Sequence, residues 1–242
     1  MATLPTFPSP TPGRRNWRRA TADELMAISW FEVLNPAERA RVTHELVVGT
    51  IHAGEYVCRV DRPASFWFGV IDGLLKVSSN KEGQGTPVTF AGVPSGSWFG
   101  EGTVLKREPY RYNVQALRGS IVAGLPLDSF HWLLEHSTPF NRFVIFQINE
   151  RLGQFVAARE IEGTNRPNLR VARSLAAMFN PILNPRGDLT LRVTQQELGY
   201  LVGLSRQRIN QALSELQSRG AIQVEYGGLR ILDLEALRTG HF

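Results

Sequence analysis

The sequence predicts an α+β protein: an antiparallel β-roll, then one long helix, then two short helices followed by a β-hairpin. Three observations carry this. Residues 46–126 break into short β-rich runs, "LVVGTIHAGEYVCRV", "SFWFGVIDGLLKVSS", "TPVTFAGVPSGSWFG" and "YNVQALRGSIVAGLP". Gly and Pro punctuate them every eight to twelve residues, the rhythm of a small barrel or roll. From Pro139 to about Gly163, apolar residues recur at helical spacing. Near the C-terminus, helix-start signals and turn glycines alternate in "VTQQELGYLVGLSRQRINQALSELQSRGAIQVEYGGLRIL".

Residues 1–20 are Pro- and Thr-rich and read as a flexible arm. Its four arginines, Arg14, Arg15, Arg18 and Arg19, fit either phosphate contact or a solvated tail. Asp23–Ser29 and Pro36–Glu45 are expected to be short helices, the second capped by Asn35 with Pro36 in its first turn. After the β-rich unit, Asp128 starts a helix over "DSFHWLLEHS" and Pro139 opens the long one. A helix of ~25 residues spans ~37 Å. Within it Ile145, Ile148, Leu152 and Phe155 are spaced three, four and three apart, and Phe143, Phe146, Val156 and Ile161 widen the apolar face. A helix apolar on more than one side buries against its own domain and against something else. A second copy of the chain is the economical partner, with purely intrachain packing as the alternative. A further helix is expected over Leu169–Phe179, then a turn-rich loop "NPILNPRGD" and a short strand "LTLRV".

In the C-terminal segment Thr194 caps a helix and Glu197, three residues on, completes a capping box. Gly203 falls at the turn, and Ser205 caps a second helix with Ile209, Ala212, Leu213 and Leu216 inward. Two short helices joined by a Gly-containing turn form a helix-turn-helix pattern. The outward face begins Arg206, Gln207, Arg208, and continues to Gln211. Arginine pairs two-pronged with guanine and glutamine with adenine in the major groove, so this face has base-reading chemistry, with Arg208 within reach of phosphate. "IQVEYGGLRIL" reads as a hairpin turning at Gly227-Gly228, a wing.

Charge agrees. The chain of 242 residues carries +5 overall. Residues 164–242 hold ten arginines and six acids, whereas residues 21–163 hold 13 basic and 16 acidic groups. A basic C-terminal part on a slightly acidic body fits a polyanionic partner.

These features resemble the cyclic-AMP receptor protein and fumarate–nitrate regulator (CRP/FNR) superfamily of bacterial transcription factors. The most specific matches are "WFGE" (Trp98–Glu101) and "TQQELGYLVGLSRQRINQAL" (Thr194–Leu213). The resemblance implies an arm (1–20), an N-terminal cyclic-nucleotide-binding-type β-roll with flanking helices (21–136), a dimerisation helix (137–163) and a C-terminal winged helix-turn-helix (164–242). It implies a homodimer on a pseudo-palindromic operator, with double-stranded DNA as partner and RNA polymerase contacted through the loop Asn180–Asp188. The DNA-binding candidates are Thr194, Ser205, Arg206, Gln207, Arg208 and Gln211; the dimer-interface candidates are Ile145, Ile148, Leu152 and Phe155. Arg206 matches the family's guanine-contacting arginine, while Gln207 and Gln211 depart from frequent glutamate and arginine.

In cyclic-AMP-binding members a Gly-Glu pair takes the ribose and an arginine ten or eleven residues on takes the phosphate. Gly100-Glu101 matches the first half, and Phe99, Gly100, Glu101, Gly102, Arg111 and Tyr112 form the candidate effector site. Aligning on Val114 and Ala116 instead puts Tyr110 at the arginine's place, and one residue in a strand reverses the side chain's face. The polar pair that touches adenine in the family falls at Phe155-Val156. A cyclic nucleotide, another effector and no effector at all therefore remain as alternatives.

No Ser/His/Asp set, P-loop or metal-ligand spacing supports an enzyme, and no metal site is expected. The single cysteine, Cys58, excludes a four-Cys iron–sulfur cluster and fits a reducing, cytoplasmic setting. No apolar run is long enough to span a membrane. A ligand-binding module whose C-terminal domain mediates protein contacts is the alternative to a DNA-binding regulator.

Overall fold

A computed structural model describes residues 17–79, 88–162, 166–184 and 189–242. Two short helices lead in, α1 (Ala22–Met26) and α2 (Pro36–Glu45), separated by a 3-10 turn at Ser29–Val33. α2 begins where Asn35 accepts from the Glu38 amide while Glu38 accepts from the Asn35 amide, a reciprocal cap that satisfies two otherwise orphaned donors.

Among the described residues, nine strands then build the roll: β1 (Arg18–Arg19), β2 (Val47–Ile51), β3 (Tyr56–Cys58), β4 (Phe66–Asp72), β5 (Leu74–Ser79), β6 (Val88–Pro94), β7 (Trp98–Phe99), β8 (Asn113–Ala116) and β9 (Ser120–Pro126). They form two antiparallel sheets, ordered β1-β2-β9-β4-β7 and β3-β8-β5-β6. Alternation along β4 sends Trp67 to one side and Phe68 to the other. Trp67 joins Trp30, Trp98, Phe130 and Phe140 in a core beneath the helices. Phe68 joins Ile51, Phe99, Tyr110 and Val122 between the sheets. Gly69 permits the first packing, since a Cβ there would lie 2.3 Å from the Trp98 ring.

Of the predicted arm (1–20), residues 1–16 lie outside the described residues, and Trp17, Arg18 and Arg19 are held against the roll. Arg18 and Arg19 pair with Val48 and Val47 at the edge of β2. Trp17 stacks on Phe66 and Phe68 at 6.1 and 6.2 Å and covers Gly49, where a Cβ would meet its ring at 2.9 Å. The missing side chain of Gly49 makes room for the indole, which ties this part of the arm to the roll. The Arg18 guanidinium clasps Glu24 at 2.6 Å and holds its carboxyl down at about 2.

α3 (Glu101–Lys106) interrupts the roll, and α4 (Leu127–His136) leads into the long helix α5 (Thr138–Glu162). The C-terminal part comprises α6 (Pro167–Met178), β10 (Thr190–Leu191), α7 (Gln195–Val202), α8 (Arg206–Ser218), β11 (Ile222–Glu225), β12 (Gly228–Ile231) and α9 (Leu234–Thr239). Its core of Leu175, Leu198, Ile209, Leu213 and Leu216 extends onto the roll through Leu74 and Leu117. Gly92 of β6 sits under Met178 and Leu201; a Cβ there would lie 2.8 Å from the Met178 sulfur. Lys76 lies 5.8 Å from the Tyr200 ring, Arg118 pairs with Glu197 at 3.7 Å, and Gln147 donates to the Ile182 carbonyl at 2.9 Å. The C-terminal part therefore shares apolar packing and polar ties with the roll and α5.

Candidate functional site

The helix-turn-helix is built from its caps inward. Thr194 accepts from the Glu197 amide at 3.1 Å and donates its own amide to Glu197 at 2.7 Å. Gly203 ends α7 at φ +70°, a conformation only glycine adopts without strain. Close approach of the helices also needs Gly199, where a Cβ would lie 2.9 Å from the Leu204 carbonyl oxygen. Ser205 caps α8, accepting from the Arg208 amide at 3.4 Å. Ile209, Ala212, Leu213 and Leu216 are buried, which turns Arg206, Gln207, Arg208, Asn210 and Gln211 to solvent. Among the described residues, no ion pair engages Arg206 or Arg208. A groove of about 430 Å³ runs from Thr194 and Gln196 past Arg206 to Glu225 and Gly227 of the wing. The wing turns at Tyr226-Gly227, one residue earlier than expected, because Glu225 pairs with Gly228; Tyr226 is fully exposed at its tip. The six DNA-binding candidates thus belong to one capped helix pair: Thr194 and Ser205 start the two helices, and Arg206, Gln207, Arg208 and Gln211 lie exposed in the first two turns of α8.

The effector-site candidates separate into two groups. Gly100 caps α3 at φ +90°, which turns Glu101 inward to 3% exposure. Arg151 of α5 donates to Glu101 Oε1 and to the Trp98 carbonyl. Glu101 Oε2 is buried without a hydrogen-bond partner. Phe99 stacks on Phe68 within the roll at 6.0 Å. Burial pushes the Tyr112 phenol above its ordinary range, with the nearby charge of Glu101 adding to the effect, and its hydroxyl bonds to Thr103. Space beside Gly102 is open, so nothing steric requires glycine there.

Arg111 belongs elsewhere. Its guanidinium is exposed and grips Glu108 at 2.7 Å and 3.1 Å. Tyr110 and Tyr112 occupy the inward positions on either side, and Tyr110 donates to the Phe66 carbonyl at 2.9 Å. Alternation therefore places the residue aligned with the family arginine inside the roll, but that residue is a buried tyrosine.

The donors present do not fit a cyclic nucleotide in the expected manner. Glu101 Oε2 suits a hydroxyl, but Arg111 faces away from the site and Phe155 and Val156 are apolar and exposed on α5. Sequence reasoning missed Arg151. Its spacing from Val144 and Ile148 along the roll-facing side of α5 is the signal that could have found it.

On α5, Ile145, Leu152 and Phe155 are more than half exposed, as are Phe146 and Val156. Ile148 differs: it packs against the core beneath the helices, because its side of α5 faces the chain's own roll. Cys58 is buried, and no group of three or more metal-ligating side chains exists among the described residues. No helix of the described residues is long and apolar enough to cross a membrane.

Two family models match in order along the chain: a cyclic nucleotide-binding domain over residues 49–137 and a Crp-like helix-turn-helix domain over residues 169–239. The chain is 27% identical over 185 residues to the transcriptional regulator SdrP of Thermus thermophilus, covering 74% of this chain and 85% of that protein. It is 26% identical over 231 residues to the CRP-like cAMP-activated global transcriptional regulator of Mycobacterium tuberculosis, covering 89% and 97%. The solved structure of FixK2 from Bradyrhizobium japonicum shares the fold, with TM-score 0.62 at 18% identity over 80% of this chain and 96% of that one. With a nucleotide-binding-type roll and a Crp-like reading head in the family's order, the chain belongs to the CRP/FNR superfamily of transcription regulators.

Proposed function

We propose that this protein is a sequence-specific DNA-binding transcription regulator that acts as a homodimer on a pseudo-palindromic operator. The observation that carries the reading is the capped helix α8, whose buried residues present Arg206, Gln207 and Gln211 together at its exposed N-terminal end. Arg206 and Gln207 read base edges, Arg208 reaches phosphate, and Thr194 and Ser205 fix the two helix starts against the backbone. Residues 21–136 act as the effector-type domain, 137–163 as the dimerisation helix and 164–242 as the reading domain. The loop Asn180–Asp188, of which 185–188 lie outside the described residues, is the segment offered to RNA polymerase. The test is operator selection followed by titration at rising salt. Specific binding falls steeply as salt competes for phosphates, and Arg206→Ala loses about 1–3 kcal/mol of discrimination at one base pair. Unchanged sequence preference in the variant overturns the assignment.

For the roll, a cyclic nucleotide held by Arg111 is the reading the geometry favours least. The support is the Arg111–Glu108 clasp and the buried Tyr110. An effector, if one binds, presents a hydroxyl to Glu101 and brings no phosphate to this strand. Titration calorimetry with cyclic AMP, cyclic GMP and cyclic di-GMP tests this; micromolar binding lost in both Arg111→Ala and Glu101→Ala refutes it.

A further inference from the structure

The outward stripe of α5 keeps one rhythm. Thr138, Arg142, Ile145, Asn149, Leu152 and Val156 are spaced four, three, four, three and four apart. A straight helix drifts away from such a repeat by ~20° per heptad, so a stripe that holds it favours a supercoiled partner helix. Ile145 and Leu152 then occupy one core position of the heptad, and Asn149 and Val156 the other. Ile145, Leu152 and Val156 are exposed, as is Asn149 between them. Val144 is buried and Ile148 is packed against the chain's own core, so the opposite side of the helix is already used.

We propose that Asn149 meets Asn149 of a second copy of this chain and sets the register of a parallel, two-stranded seam. This rests on the homodimer reading and adds to it the residue that selects the pairing. The argument is chemical. An asparagine amide has both a donor and an acceptor, so it is complementary to itself across a two-fold axis. In a parallel in-register seam equivalent positions face each other, and each Nδ2 donates to the opposing Oδ1. In an antiparallel seam the two core positions oppose each other, and the amide is buried against isoleucine or leucine without a partner. A slip by one heptad sets one Asn149 against Val156 and the other against Arg142, and loses the amide–amide pair. From Ile145 to Val156 the stripe is otherwise apolar, so an antiparallel alignment leaves that amide unpaired. Leucine at one core position with β-branched valine at the other favours two strands, and a single asparagine in such a stripe selects register and strand number.

The test uses the full chain. Sedimentation velocity gives the mass of the wild type, Asn149→Val and Asn149→Asp over a range of concentrations. Mild oxidation of Asn149→Cys, with the wild type as control for buried Cys58, reports whether the two positions face each other. We expect a wild-type dimer and a disulfide-linked dimer from Asn149→Cys alone. Asn149→Val associates roughly tenfold more tightly but populates species larger than a dimer. Asn149→Asp, which sets two carboxylates face to face, dimerises roughly tenfold more weakly. A monomeric wild type overturns the homodimer reading itself. A wild-type dimer in which Asn149→Cys fails to cross-link, or in which Asn149→Val keeps the same mass and affinity, overturns the role of Asn149 and leaves the dimer standing.

Discussion

Removing the carboxylate of Glu101 should weaken the fold before it weakens any response. Glu101 is 3% exposed and its cation, Arg151, keeps 24% of its side chain in solvent. Breaking a fully buried pair costs about 3–5 kcal/mol, because the surviving charge has no partner. Water reaches Arg151, so Glu101→Gln should lie near or below the lower limit, about 2–3 kcal/mol. Arg151→Met leaves a carboxylate buried, and should cost the larger amount, about 3–5 kcal/mol. The double variant should cost less than the sum by about 1–3 kcal/mol, since neither charge is then stranded. Urea unfolding followed by tryptophan fluorescence measures all four proteins, at one protein concentration because a dimer's stability depends on it. If the two single effects add within about 0.5 kcal/mol, the pair does not couple the roll to α5. If Glu101→Gln matches the wild type in stability, the Arg151 pair does not support the fold.

Three further outcomes follow from the packing and the charges. Gly69→Ala drives a methyl into the Trp98 ring within a core of four other large aromatics; it should destabilise by about 1–3 kcal/mol or more, read as a lowered urea midpoint. The Glu24 carboxyl is held at about 2 in the fold against 4.5 without its partners. Its contribution is therefore complete above about 4.5 and fades as pH falls toward 2. The stability difference between wild type and Glu24→Gln should shrink across that window and be flat from mild acid to neutrality. The phenols of Tyr110 and Tyr112 are both pushed up by burial. Tyrosinate absorbance in alkaline titration should leave these two silent until the protein unfolds, and Tyr110→Phe should not change the early part of the curve.

Local chemistry was readable in the sequence and long-range geometry was not. α2 spans Pro36–Glu45 as expected because Asn35, Pro36 and Glu38 fix its start within four residues. The α7–α8 pair was legible for the same reason, each start being set by a side chain three residues from the amide it caps. The direction of Arg111 was not legible, since it depends on how the strand enters its sheet and on the Tyr110 bond to Phe66, 44 residues away in sequence. Arg151 reaches Glu101 across 50 residues, and Trp17 finds its place because Gly49 and Phe66 present a surface for it. Ile148 looked like a seam residue by spacing alone. The helix has two apolar sides, and only the packing shows which of them the chain keeps for itself.

The contact of Leu201 and Met178 with Gly92 has a consequence for the target site. It mounts the reading head on the roll, and in the proposed homodimer α5 in turn joins the rolls of the two copies. While that mounting holds, the dimer works as a ruler: the distance and the angle between its heads are lengths of protein, which DNA has to match. One base pair inserted between the half-sites rotates the second about 34° around the duplex axis as well as moving it away. Two operators with the same half-sites and spacers one base apart would then be different addresses to this protein, although no residue touches the extra base.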